Sequence, residues 1–177
     1  RFLKDRRAVS AVEFALVFPI MLTIYLGGSE VGNGLTISRE VSHVASTMGD
    51  LVAQCSSISD SDMQNILAPA AYVIAPYDTT NLTIRVSGIS TNSNSQATVA
   101  WSDEYQTTAL TTGSSFTLPT SLQTASSFYV AAEVHYSYRP YIGYVMTGTY
   151  DISNTFYFAP RDSAAIARTT STTSRNT

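Results

Sequence analysis

Few side chains in this sequence are equipped for catalysis or ligation. It has two histidines, His43 and His135, and a single cysteine, Cys55. A histidine acts as a general base or a metal ligand beside other groups that orient it or share the ion. His43 lies beside the apolar stripe of a helical pattern, and His135 lies on the polar face of an alternating run. Each therefore reads as a surface or interface residue. No Gly-rich phosphate loop, H-E-x-x-H or C-x-x-C occurs. A Ser/His/Asp set is defined by geometry and cannot be read from spacing. Asp151-x-Ser153-x-Thr155 matches the start of a metal-ion-dependent adhesion motif, but too little chain follows it for the rest of such a domain. Asn81-Leu82-Thr83 fits a glycosylation acceptor, a triplet that arises easily by chance. The expectation is a protein that is not an enzyme and that carries no cofactor and no metal.

The carboxylate that does stand out is Glu13, because of its surroundings. From Ala8 to Ser29 it is the only acidic or basic residue. As a helix this stretch rises about 33 Å, enough to cross a hydrocarbon core about 30 Å thick. A carboxylate at the centre of such a span costs on the order of 2.5–3.5 kcal/mol. Glu13 lies only about 9 Å along the axis from Arg7, so it sits nearer the edge. Two readings stand side by side: an interfacial Glu that snorkels or is protonated, and a charge that needs a partner in another subunit.

The flanks give the span a direction. Arg1, Lys4, Arg6 and Arg7 precede it, offset only by Asp5. Basic residues stay on the cytoplasmic side, so the N-terminus is expected inside and everything after Ser29 outside. A cleaved secretory signal is the weaker reading. Its apolar region would be shorter and would end at a small-residue site, whereas Phe14–Leu26 passes into Gly27-Gly28 and then a helical pattern. Pro19 removes one backbone hydrogen bond inside the helix. Gly27, Gly28, Gly32 and Gly34 predict a weak point where it leaves the lipid.

Beyond Gly34, Ile37, Val41, Val44, Met48 and Leu51 repeat at four, three, four, three. That is one apolar stripe, and it extends the helix to about Gln54. Ser56–Asp62 is a polar break with capping residues, and Met63, Ile66, Leu67 and Ala70 mark a second, short helix interrupted by Pro69. From Leu82 the period becomes two. Leu82, Ile84 and Val86 form one strand, and Ala97, Val99 and Trp101 another across a polar Thr91–Ser95 loop. Thr107–Thr124 reads as loop. Val130, Ala132, Val134, Tyr136 and Tyr138 form a third strand, and Ile152, Phe156 and Phe158 a fourth. The fold class expected is α+β: a long N-terminal transmembrane and amphipathic helix, a short second helix and a roughly four-stranded antiparallel sheet whose apolar face covers the stripe. The expected organisation is a basic cytoplasmic leader (1–8), a transmembrane helix (9–29), an amphipathic extension (30–55), an extracytoplasmic domain (56–161) and a flexible tail (162–177), in which Ala164–Arg168 has the pattern of a helical turn.

Composition departs from that of an ordinary soluble domain. Only 13% of residues are charged, against about 25% in ordinary soluble domains. The net charge of −3 and the lack of a basic stripe argue against a nucleic-acid partner.

The run Arg6-Arg7-Ala8-Val9-Ser10-Ala11-Val12-Glu13-Phe14-Ala15-Leu16-Val17-Phe18-Pro19 resembles the N-terminus of TadE-like minor pseudopilins of the tight-adherence (Tad/Flp, type IV pilus) systems. Three later stretches are similar to the same family: Ile74–Asp78 leading into Leu82–Gly88, Ala132–Pro140 and Thr155–Arg161. The resemblance implies a pseudopilin-like fold and a role in assembly rather than catalysis. It implies cleavage by a prepilin peptidase between Ala8 and Val9, with Glu13 as fifth residue of the mature chain. Ala8 stands where the family pattern usually has Gly. It also implies that Glu13, Phe14 and Pro19 serve assembly, with the freed amine at Val9 pairing with Glu13 of a neighbour. The partners implied are membrane lipid, other pilins, pilus assembly proteins and the peptidase. The location implied is the bacterial inner membrane with the C-terminal domain periplasmic, and incorporation into an extracellular pilus. The alternative is a membrane-anchored extracytoplasmic binding or adhesion module, for which the helix is only a tether. An envelope hydrolase is a third reading, disfavoured by the thin supply of ionisable groups.

Overall fold

The computed structural model describes residues 6–141, 143 and 146–169. Two helices and six strands follow one another: α1 (Arg6–Ala53), β1 (Ser57–Ser59), α2 (Asp60–Val73), β2 (Leu82–Thr91), β3 (Ala97–Tyr105), β4 (Phe128–Tyr138), β5 (Tyr150–Phe158) and β6 (Ala167–Thr169). The class is α+β, with a four-stranded antiparallel sheet ordered β3-β2-β4-β5. Contacts divide the chain into two units, one of residues 1–37 with 138–150 and one of residues 38–137 with 151–177.

α1 is a single 48-residue helix. The weak point expected at Gly27, Gly28, Gly32 and Gly34 does not break it. A glycine costs a helix about 1 kcal/mol relative to alanine, which a long helix absorbs. Hydroxyls also return to carbonyls one turn back. Thr23 Oγ1 donates to the Pro19 carbonyl at 2.9 Å and Thr36 Oγ1 to the Gly32 carbonyl at 3.0 Å.

In the second unit the helix buries one face. Val41, Val44, Ala45, Met48, Val52 and Ala53 are at most 3% exposed, whereas Leu51 is 41% exposed. The expected stripe therefore ends on the wrong residue. A strict seven-residue repeat drifts by about 20° per heptad on a straight helix, which rotates Leu51 out of the contact. Small residues widen the face on the other side. Gly49 lies so close to the sheet that an added Cβ would collide with the Phe158 ring and come within 3.2 Å of the Ala132 Cβ. Asn154 donates to Ser42 Oγ at 2.6 Å, and Arg161 pairs with Asp50 and donates its backbone N–H to the Ala53 carbonyl. This end of α1 thus lies on the sheet face that carries Ala132, as the alternating pattern predicts.

β2 is the centre of the sheet. It pairs Val86 with both Ala132 of β4 and Asp103 of β3. The register with β3 slips between Gly88, opposite Trp101, and Ile89, opposite Val99. Ala100 is the extra residue, and a bulge of this kind turns the side chains beyond it to the other face. Trp101 consequently lies over Gly88, where a Cβ would strike its indole. Ala97 and Val99 join Ile89, Leu118 and Ala131 in a second small core, closed by Leu110, Phe116, Tyr129 and Tyr157. The sequence puts Ala97, Val99 and Trp101 on one face; the bulge separates them. The Thr107–Thr124 loop supplies Leu110, Phe116 and Leu118 as the cover of that second core.

Two features of the C-terminal part depart from expectation. The polar break at Ser56–Asp62 contains β1, which pairs in parallel with β6, Ser57 opposite Ala167 and Ser59 opposite Thr169. So Ala164–Arg168 is not a helical turn, and 167–169, within the expected flexible tail of 162–177, is a strand; residues 170–177 lie outside the described part. The pairing is fixed by side chains distant in sequence. Trp101 Nε1–H donates to the Ile166 carbonyl at 2.9 Å. Arg168, with its side chain only 8% exposed, holds Asp103 through two bonds of 2.8 Å and Asp60 at 2.6 Å. Those carboxylates push its guanidinium pKa further above its already high ordinary value, hydrogen bonding to Asp103 being the largest cause. α2 begins with a capping box. Ser59 Oγ accepts the Asp62 N–H and the Asp62 carboxylate accepts the Ser59 N–H. The Ser59 hydroxyl and N–H hold the Asp62 carboxyl below its usual range. The carboxylate's contribution is therefore full above the ordinary carboxyl range and is lost as pH falls through the lowered value.

Two substitutions test this packing in urea unfolding of the full chain in detergent. Gly49→Ala raises helix propensity by about 1 kcal/mol, yet the added Cβ should destabilise by about 1–3 kcal/mol through overpacking. A net gain in stability would contradict the close helix–sheet contact. Arg168→Met should cost about 3–5 kcal/mol by leaving two shielded carboxylates without their cation, and an unchanged unfolding midpoint would show that β6 is not held this way.

Candidate assembly helix

The residues singled out in the sequence lie along the first half of α1. Ala, Leu and Met favour the helix here more than the Val, Ile and Phe around them, and in a medium without water the helix satisfies its own backbone groups; Pro19 does not interrupt it. From Val9 to Tyr25 the large apolar residues project outward on every side, among them Val12, Phe14, Leu16, Phe18, Ile20, Met21 and Ile24. A helix that is apolar all round belongs in a protein interior or in lipid. α1 is long and apolar enough to cross a membrane, and none of the side chains in its most apolar stretch is buried inside the chain.

The spacing along this helix sets what its polar groups can do. Val9 and Glu13 are four residues apart, one turn and about 6 Å along the axis, on the same side. Glu13 and Phe14 are exposed, and the Phe14 ring meets Phe18 with centroids 5.4 Å apart. Ala8 and Val9 lie within the first turn described. Pro19 leaves the Ala15 carbonyl without its usual donor. Glu13, Phe14 and Pro19 are not brought into a common cluster. They are distributed around and along an exposed rod, an arrangement suited to contact with lipid or other helices.

His43 and His135 are exposed, and Cys55 is half-buried with its thiol 3.5 Å from the Leu51 carbonyl. Asp151 accepts the Ser137 hydroxyl at 2.8 Å. No group of three His, Cys, Asp or Glu suited to a metal ion occurs among the described residues.

One residue that sequence reasoning passed over is Glu30. It follows directly on the apolar run, yet it is only 2% exposed. Its carboxylate accepts the Met146 N–H at 2.8 Å, and its carbonyl accepts the Tyr138 hydroxyl at 3.5 Å. The nearest signal in the sequence is Gly34, one turn on, where an added Cβ would lie 3.5 Å from the Tyr138 ring.

The family model of TadE-like proteins matches residues 8–48. Over this N-terminal segment the chain is similar to TadE-like proteins. The match begins at Ala8, takes in Glu13, Phe14 and Pro19, and ends at Met48 on the buried face of α1. The match covers 41 of the chain's 177 residues. The matched part is helix alone; the similar stretches in β2, β4 and β5 lie outside it. No curated protein and no solved structure matches the chain.

Proposed function

We propose that this chain is a minor pilin-like subunit, a pseudopilin, that takes part in assembly of a Tad-type pilus. In this reading residues 9–29 cross the bacterial inner membrane with the basic leader in the cytoplasm. The α+β domain, residues 56–161, lies in the periplasm, and the subunit passes from the membrane into the pilus. The observation that supports it best is a helix, uncovered by its own chain, with Glu13 one turn beyond the Ala8–Val9 bond. The TadE-like match falls on that same stretch.

The chemistry follows from where the charges lie. A prepilin peptidase adds water across the Ala8–Val9 peptide bond. The leader leaves with Arg6 and Arg7, and Val9 keeps a positive amine. Removing those cations lets the helix end sink toward lipid, since an arginine at depth is costly. An amine and a carboxylate on adjacent subunits then offset each other's desolvation, and geometry restricts that pairing to one register. Pro19 and the ring pair Phe14–Phe18 shape the helix surface against its neighbours. Other pilins, assembly proteins of the machine and membrane lipid are the partners this requires.

Two outcomes are expected. Mass spectrometry of the protein from pilus-producing cells should find a mature chain beginning at Val9, and an intact leader with normal piliation would refute the cleavage. Glu13→Ala should remain in the membrane fraction while its incorporation into pili falls about a hundredfold or more, the equivalent of the roughly 3–5 kcal/mol lost when a buried pair is broken. Unchanged incorporation would remove Glu13 from the mechanism.

A further inference from the structure

We propose that the loop between β4 and β5, together with Glu30, forms a second membrane contact that rests in the phospholipid headgroup layer on the non-cytoplasmic side. The proposal rests on the reading that residues 9–29 span the bilayer.

Twenty residues of helix rise about 30 Å, the thickness of the hydrocarbon core, so a span starting at Val9 ends at about Ser29. Glu30 is the next residue. The loop is tied to the helix at that level, by the Met146 N–H on the Glu30 carboxylate, by the Tyr138 hydroxyl on the Glu30 carbonyl, and by the Tyr138 ring, 3.5 Å from where a Cβ on Gly34 would lie. A segment fixed to residues 30–34 of a spanning helix lies where hydrocarbon gives way to headgroups.

Composition agrees with that depth and with no other obvious use. Residues 138–150 read Tyr-Arg-Pro-Tyr-Ile-Gly-Tyr-Val-Met-Thr-Gly-Thr-Tyr, and hold four of the chain's 11 tyrosines. They contain no carboxylate, and Arg139 is the one charge. Tyr141 is fully exposed and Arg139 is exposed. The loop encloses a shallow open concavity of about 580 Å³ lined by Arg139, Tyr141 and Met146 among others. Tyrosine is enriched at membrane–water interfaces, where its ring and hydroxyl meet different media, and arginine beside it suits lipid phosphate. Tyr25, 74% exposed on the helix itself, lies one turn before Ser29 in the same boundary zone. The β2–β3 hairpin is the contrast within the same chain. Its turn reads Asn-Ser-Asn-Ser-Gln at 92–96, the ordinary chemistry of a loop in water.

Glu30 is what makes this arrangement specific. A carboxylate just beyond an apolar span would ordinarily reach for water. Here it is covered by the loop and used as an acceptor for loop backbone, so that the loop is held against the helix.

The test uses full chains with Cys55→Ser, reconstituted into vesicles of phosphatidylethanolamine and phosphatidylglycerol. Each carries one environment-sensitive thiol label, at Leu22→Cys, Thr147→Cys or Asn94→Cys. Lipids brominated along the acyl chain should quench the label at 22, which reports insertion of the span. Aqueous iodide should quench the label at 147 several-fold less than the label at 94. Tyr141→Ser with Arg139→Gln should raise iodide access at 147 toward the value at 94, and Glu30→Ala should do the same by releasing the loop. If 22 is quenched by lipid but 147 is as open to iodide as 94, this proposal fails while the spanning reading stands. If 22 is not quenched by lipid, both fail. Shielding at 147 that vanishes as protein is diluted in lipid would overturn the proposal in favour of a neighbouring copy covering the loop.

Discussion

The constraint from which the rest follows is the uncovered apolar surface of α1 between Val9 and Tyr25. In water a rod of this kind would expose large side chains on every side at roughly 25 cal/mol per Å², which no globular chain of this size tolerates without a partner. Lipid is a medium that suits such a surface. It rewards no helix face over another, and this half of α1 carries no apolar stripe. Beyond about residue 37 the same helix becomes one-sided, with Val41, Val44, Met48 and Val52 buried and His43 and Leu51 outward. One continuous element therefore serves two environments, and the change of pattern along it marks the change of task.

The sheet domain is built around that change. Gly49 lets the sheet approach the helix backbone, and Ala132 and Phe158 occupy the space. The bulge at Ala100 divides the sheet's apolar side chains between two cores, one facing the helix and one under the 106–127 loop. The Arg168 clamp joins β6 to α2 and β3 through Asp60 and Asp103. A domain with one cysteine and no disulfide needs such long-range ties, because the chain ends are otherwise first to fray.

Much of this was legible in the sequence, for physical reasons. Long elements with a clear period were read correctly: α1 from its apolar run and stripe, and β2 and β4 from strict alternation. What was missed depended on contacts between residues far apart in sequence. Leu51 fits the spacing of the large apolar residues, but the small residues Ala45, Gly49 and Ala53 set the true face. Trp101 alternates with Val99 in the sequence, and a bulge leaves no mark in an alternating pattern. β6 has three residues and is defined by a tryptophan and two aspartates elsewhere, so local pattern suggested a helical turn. The burial of Glu30 arises from a loop more than a hundred residues away, which no local pattern shows. Of the site, Glu13 and Pro19 stand out within an apolar run, whereas Phe14 is singled out by the family resemblance alone; the structure adds that all three lie exposed along the helix and do not form a pocket.

The account stands on α1 crossing the inner membrane with the sheet domain outside the cytoplasm. The most direct measurement is reaction of Asn94→Cys, in a Cys55→Ser chain, with a membrane-impermeant maleimide. The thiol should be labelled in intact spheroplasts. Labelling only after the inner membrane is disrupted would contradict the account.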